Sequence, residues 1–153
     1  MLRTLLALCA FATSAATLGA PPVDLSAVPP ERHAARFALC DRGPRINCVV
    51  DGDTVWYAGE KIRIADINAP ETHGPQGAYE AALGAAATMR LTALLNAGPF
   101  GVALSTAPID RGRDHDRYGR LLRVVTRRGA SLGTVLVREG LAEPWTGHRR
   151  NWC

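Results

Sequence analysis

Val49-Val-Asp-Gly-Asp-Thr-Val-Trp-Tyr57, then Ala58-Gly-Glu60, then Lys61-Ile-Arg-Ile-Ala-Asp-Ile67 is the stretch that decides the fold. Its first segment is rich in β-branched and aromatic residues, and its last alternates apolar with polar side chains, so both read as strands. Ala58-Gly59-Glu60 supplies the hairpin turn between them. Asp51-Gly52 has the residue types of a two-residue turn as well, and periodicity alone leaves open whether the chain reverses there. Outward from this core, residues 75–96 read as a helix. Tyr79, Leu83, Ala86, Met89 and Ala93 recur on one face expected to pack inward, and Gly98-Pro99 stops it. Residues 102–105 and 121–126 read as two more strands, separated by the charged loop Asp110-Arg-Gly-Arg-Asp-His-Asp-Arg117. Ser131 caps a last helix with Leu132, Val135 and Leu136 inside, and Gly140 closes it. Strands, helix, strands, helix make an α+β domain.

The 153 residues suit one such domain, with a 47% hydrophobic composition that is ordinary for a globular chain. Met1-Leu-Arg-Thr-Leu-Leu-Ala-Leu-Cys-Ala-Phe-Ala12 starts basic and turns apolar, and Ser14-Ala-Ala16 offers the small residues of a signal-peptidase site. Residues 1–16 are therefore expected to be a cleaved export signal, 17–36 a proline-rich lead and 37–153 the folded domain. The apolar run is too short and too broken by Thr and Ser to span a bilayer. The expected mature form is monomeric, free of the membrane, and secreted or periplasmic.

Export changes the meaning of the cysteines, because Cys40, Cys48 and Cys153 would meet an oxidising compartment. Cys40 and Cys48 bracket a turn-rich segment, and a bridge there would contribute roughly 2–3 kcal/mol. Cys153 either pairs back onto this loop or stays free. A metal site is not read here, since paired Cys or His spacing is missing. The net charge is +4, and Lys61 is the single lysine among 18 basic residues. Guanidinium forks match phosphate oxygens, so this bias favours a nucleic-acid partner.

Phosphodiester hydrolysis needs a deprotonated water and positive charge on the phosphate as negative charge builds. Asp53 and Asn68 offer hard oxygen ligands for a calcium-like cation. Glu71 is a candidate general base, and Arg63 and Arg120 are candidate phosphate clamps. A straight strand would hold Arg63 and Glu71 ~26 Å apart, so they share a site only where the chain curls. Pro70 and a small barrel both supply such curvature.

Asp51-Gly-Asp-Thr54, Arg63-Ile-Ala-Asp-Ile-Asn-Ala-Pro-Glu71 and Asp116-Arg-Tyr-Gly-Arg120, in this order, resemble the thermonuclease family, calcium-dependent nucleases related to staphylococcal nuclease. The resemblance runs over residues 49–141. It implies a small OB-fold, a five-stranded Greek-key β-barrel with two flanking helices. It favours a bend or bulge at Gly52 within one strand, aiming Asp53 into a cleft. It further implies that Asp53, Asn68 and the carbonyl of Ala69 hold Ca2+ and that Glu71 activates water. Arg63 and Arg120 would bind the phosphate, and Tyr118 would line the nucleotide pocket. The substrate would be single-stranded DNA or RNA, cut to leave 3′-phosphates.

The pattern departs from the family at two places. Asn68 stands where the family has a second aspartate, which removes a full charge and should weaken calcium binding. Asp66, on the same strand face by parity, is a residue that could compensate. Cys153 also comes soon after the expected second helix, where the family's longer members carry a third, and this stretch holds Trp145 and Trp152, either a stacking surface for a base or packing against the barrel. An alternative to the enzyme is a non-catalytic nucleic-acid-binding OB-fold module, disarmed through Asn68. Against it, a binder has no need of a base at position 71.

Overall fold

The computed structural model describes residues 31–41 and 43–152; the expected export signal, most of the lead and Cys153 lie outside them. A short β1 (Ala38–Leu39) runs parallel to β2 (Cys48–Asp51), and Cys40 and Cys48 are joined by a disulfide. Then come β3 (Thr54–Tyr57), β4 (Glu60–Ile64), β5 (Ile67–Asn68), α1 (Ala78–Asn96) and β6 (Gly101–Leu104). After a 3-10 turn follow β7 (Leu121–Arg127), β8 (Ala130–Ser131), α2 (Leu132–Arg138) and β9 (Glu143–Pro144). The main sheet has the order β1-β2-β3-β4-β7-β6 with β8 on β7, while β5 and β9 pair separately. Of the longer strands, β4 and β7 alone are parallel neighbours. This is the partly open Greek-key barrel of an OB-fold, with two helices, as expected. His33 exchanges backbone hydrogen bonds with Phe100 at 3.1 and 3.0 Å, tying the lead to the start of β6.

The turn at Gly52-Asp53 corrects one expectation. Asp51 lies opposite Thr54 and Val49 opposite Val55, so the single bent strand over 49–57 is instead a tight hairpin, with a register slip between Val49 and Asp51. Gly52 permits the reversal at close quarters: a Cβ there would come within 2.6 Å of the Ala69 Cβ and 2.7 Å of the Ala87 Cβ. The next turn forms where it was expected. Ala58 and Gly59 take φ of 51° and 83°, the positive pair of a type I′ turn.

The expected inward face of α1 is also corrected. Tyr79 and Met89 are 65% and 63% exposed, and the buried positions are Glu80, Gly84, Ala87, Thr88, Leu91 and Leu95. Size explains the rotation. The helix packs so near the loop before it that a Cβ on Gly84 would lie 2.9 Å from the Glu71 carbonyl oxygen. Small residues must face that loop, whatever the hydrophobicity of the rest. Beneath, Leu91, Leu95 and Leu136 join Phe37, Val49, Val55, Ile62, Ile64, Ile67, Phe100 and Val125 in one core. The second helix follows its expected pattern, with Ser131 Oγ accepting from the Gly133 and Thr134 N–H groups and Gly140 at φ 72° beyond its end. Among the described residues no helix is long and apolar enough to cross a membrane.

Candidate functional site

The β2–β3 turn sends a carboxylate inward. Asp53 is 8% exposed; its Oδ2 accepts the Ala69 N–H at 2.9 Å, and its Oδ1 accepts the Thr54 hydroxyl at 3.0 Å. Across the β3–β4 ladder, Arg63 is the register partner of Thr54. Its Nη2 reaches Asp53 Oδ2 at 3.4 Å, and its Nη1 donates to the Ile64 carbonyl. Arg120, arriving just before β7, donates from Nη1 to Thr54 Oγ1 at 3.3 Å. Residues from three separate motifs therefore share one line of contacts: Arg120, Thr54, Asp53, Arg63.

A turn holds Arg120 in place. Asp116 Oδ1 accepts the Tyr118 and Arg120 N–H groups at 2.8 and 3.0 Å, and its Oδ2 accepts Arg120 Nε at 2.6 Å. Burial works to raise the Asp116 carboxyl, but those N–H groups and the guanidinium outweigh it and hold it below the usual range. Tyr118 is 63% exposed and flanked by guanidinium groups, Arg117 at 4.8 Å and Arg120 at 5.4 Å from its ring centre. The Arg63 guanidinium lies 5.5 Å from the ring centre of Trp145. Together with Arg113, Arg117 and Arg149 these residues line a cleft of about 330 Å³. Trp145 thus faces the cleft, whereas Trp152 is buried at 6% exposure and packs the tail.

Glu71 follows β5 and Pro70, half-buried, and its Oε1 pairs with Arg149 Nη1. Its backbone N–H donates to Glu80 Oε1 at 3.2 Å, and Glu80 Oε2 accepts the Gln76 N–H at 2.6 Å. The first turn of α1 thus fixes the Glu71 loop. Asn68 is buried, and its Nδ2 donates to Glu143 Oε1 at 3.0 Å. Asp66 does not compensate for Asn68: its Oδ2 accepts the Ser131 hydroxyl at 2.5 Å and its carbonyl accepts the Trp145 N–H. That carboxylate anchors α2.

Asp51 belongs to the same corner, although as a sequence it reads equally well as a turn residue. Its Oδ1 accepts the Asp53 N–H at 3.1 Å. Burial, then the neighbouring charges of Asp53 and Glu71, push its carboxyl up to about 7, against the pull of the Asp53 N–H and the Thr54 hydroxyl. Crowded carboxylates of this kind suit a hard cation, which relieves their repulsion. Among the described residues no three Asp, Glu, His or Cys side chains gather as a metal cage. A cation here would also need neutral oxygens, and the Asn68 amide and Ala69 carbonyl are of that kind. These are oxygen donors of the kind that hard divalent cations take.

Arg149, Glu143 and Asp51 are the residues that motif reading missed. The first two act through pairings across long stretches of chain, for which a single sequence carries no signal. The Asp51 signal is its spacing of two from Asp53.

Comparison with known proteins bears on this geometry. Residues 61–151 match the family of staphylococcal nuclease homologues. That span holds Arg63, Asn68, Glu71 and Arg120 and begins after the Gly52-Asp53 turn. Two proteins of Bacillus subtilis (strain 168) are similar over 97 residues, 61% of this chain: endonuclease YncB at 36% identity and the SPbeta prophage-derived endonuclease YokF at 37%. The matched stretch is 43% and 31% of their lengths, so the chain spans less than half of each relative.

Proposed function

We propose that this chain, which belongs to the family of staphylococcal nuclease homologues, is an exported nuclease that hydrolyses phosphodiester bonds of single-stranded DNA or RNA with calcium. The observation that carries the reading is the convergence of two guanidinium groups on one acidic turn: Arg63 on Asp53 and Arg120 on Thr54. Both arginines also lie on the wall of an open cleft, where planar guanidinium forks suit a phosphate. The endonuclease names of both relatives support the same class of chemistry.

Asp53, the Asn68 amide oxygen and the Ala69 carbonyl would hold the cation. When bound, calcium supplies positive charge to the phosphate and acidifies water. Glu71 takes the proton of the attacking water, after the Arg149 guanidinium yields to substrate. Arg63 and Arg120 stabilise the charge that builds on the phosphate oxygens. Tyr118 and Trp145 offer ring faces to a base. The Cys40–Cys48 disulfide supports an oxidising compartment, in keeping with the expected export signal.

The test is nicking of single-stranded DNA by purified protein. Cleavage with calcium and none with chelator is expected; a preparation inactive in both would favour the non-catalytic binding module instead.

A further inference from the structure

Asn68 and Glu143 lie directly opposite each other in the antiparallel pair β5–β9, so their side chains share a face. Asn68 Nδ2 donates to Glu143 Oε1 at 3.0 Å, and the same oxygen accepts the Arg150 N–H at 3.2 Å. A carboxylate only accepts hydrogen bonds, whereas an amide has one end of each kind. Glu143 therefore takes the nitrogen and leaves the oxygen as the end available to any other partner. This orientation matters at a cation site. An asparagine ligates through its oxygen; turned over, it would present N–H protons to the ion.

We propose that Glu143 is the positioning residue of the cation site, locking the Asn68 amide with its oxygen free and supplying from the neighbouring strand the negative charge that residue 68 lacks. The inference rests on the reading of Asp53, Asn68 and Ala69 as cation-holding residues. It also explains why Asn68 is tolerated. An aspartate here would face Glu143, and like charges directly opposed destabilise a strand pair. Asn68 and Glu143 form a matched pair, with the carboxylate moved one strand over. Residues that orient a ligand without touching the ion commonly tune affinity by about 10–100-fold.

The experiment is calorimetric titration of calcium into the protein without nucleic acid, comparing wild type with Glu143→Gln, circular dichroism confirming the fold of each. Glutamine both donates and accepts, so the amide is freed to turn and a charge is lost. Calcium affinity is expected to fall about tenfold or more. Folded Glu143→Gln with wild-type affinity overturns the inference alone, because a residue that merely pins the tail leaves calcium binding unmoved. Wild type that binds no calcium overturns it together with the calcium reading. Should Glu143→Gln not fold, melting curves of Asn68→Asp carry the test. Without calcium its Tm should drop, and the drop should shrink on adding calcium; an unchanged Tm means that the two side chains are not a charge-matched pair.

Discussion

Arg63 and Arg120 differ from ordinary surface arginines in what they touch, an acidic turn and a threonine hydroxyl beside an open cleft. If they stabilise charge that appears only as the phosphate is attacked, Arg63→Ala and Arg120→Ala should each lower kcat more than they raise KM. Steady-state kinetics with a defined oligonucleotide decides this; a change confined to KM would make that arginine a docking contact. Asp51 makes a second prediction at this scale. Its folded pKa of about 7 lies above the ordinary 3.8, so its contribution to stability is present below 3.8 and is lost as pH rises through about 7. Denaturant unfolding without added cation should therefore show wild type losing stability relative to Asp51→Asn across that window and levelling above it. Parallel pH profiles for the two proteins would contradict the crowding of carboxylates. Most of these residues were legible because each motif is short and contiguous. Glu143 and Arg149 were not, because Asn68 and Glu71 meet them only once the tail has folded back past β5.

The helices and strands were legible in kind and order, and the misreadings share one cause. Periodicity reports hydrophobicity, but close approach is governed by size. Gly52 and the small face of α1 are where backbone meets backbone, and a search for large apolar side chains passes over them. Gly84→Ala tests this account because two effects compete. Alanine should gain about 1 kcal/mol of helix propensity. Its Cβ would fall 2.9 Å from the Glu71 carbonyl oxygen and 3.0 Å from that of Pro70, and overpacking of this sort costs ~1–3 kcal/mol. The backbone has little room to yield, so a net loss of stability is expected, with loss of activity as Glu71 is displaced. A Gly84→Ala protein that is more stable and fully active would mean that the helix sits farther from the loop.

At the scale of the whole molecule, a small barrel is left partly open and is held by its ends. The lead pairs with Phe100 on one edge and β1 with β2 on the other, beside the Cys40–Cys48 bridge. Replacing both cysteines by serine should cost roughly 2–3 kcal/mol in urea unfolding, and no loss would show that the bridge constrains nothing. The tail closes the other side, where β9 pairs with β5 and Arg149 reaches Glu71. In that corner Asp53 meets Arg63 and the Ala69 N–H while Glu71 meets Arg149, and the proposed mechanism stands or falls on Glu71 as the base. The most direct measurement is turnover of single-stranded DNA in calcium by wild type and by Glu71→Gln, which keeps the size of the side chain and removes its charge. A folded Glu71→Gln protein should lose ~10²–10⁴ in kcat; unchanged turnover would contradict the mechanism at its centre.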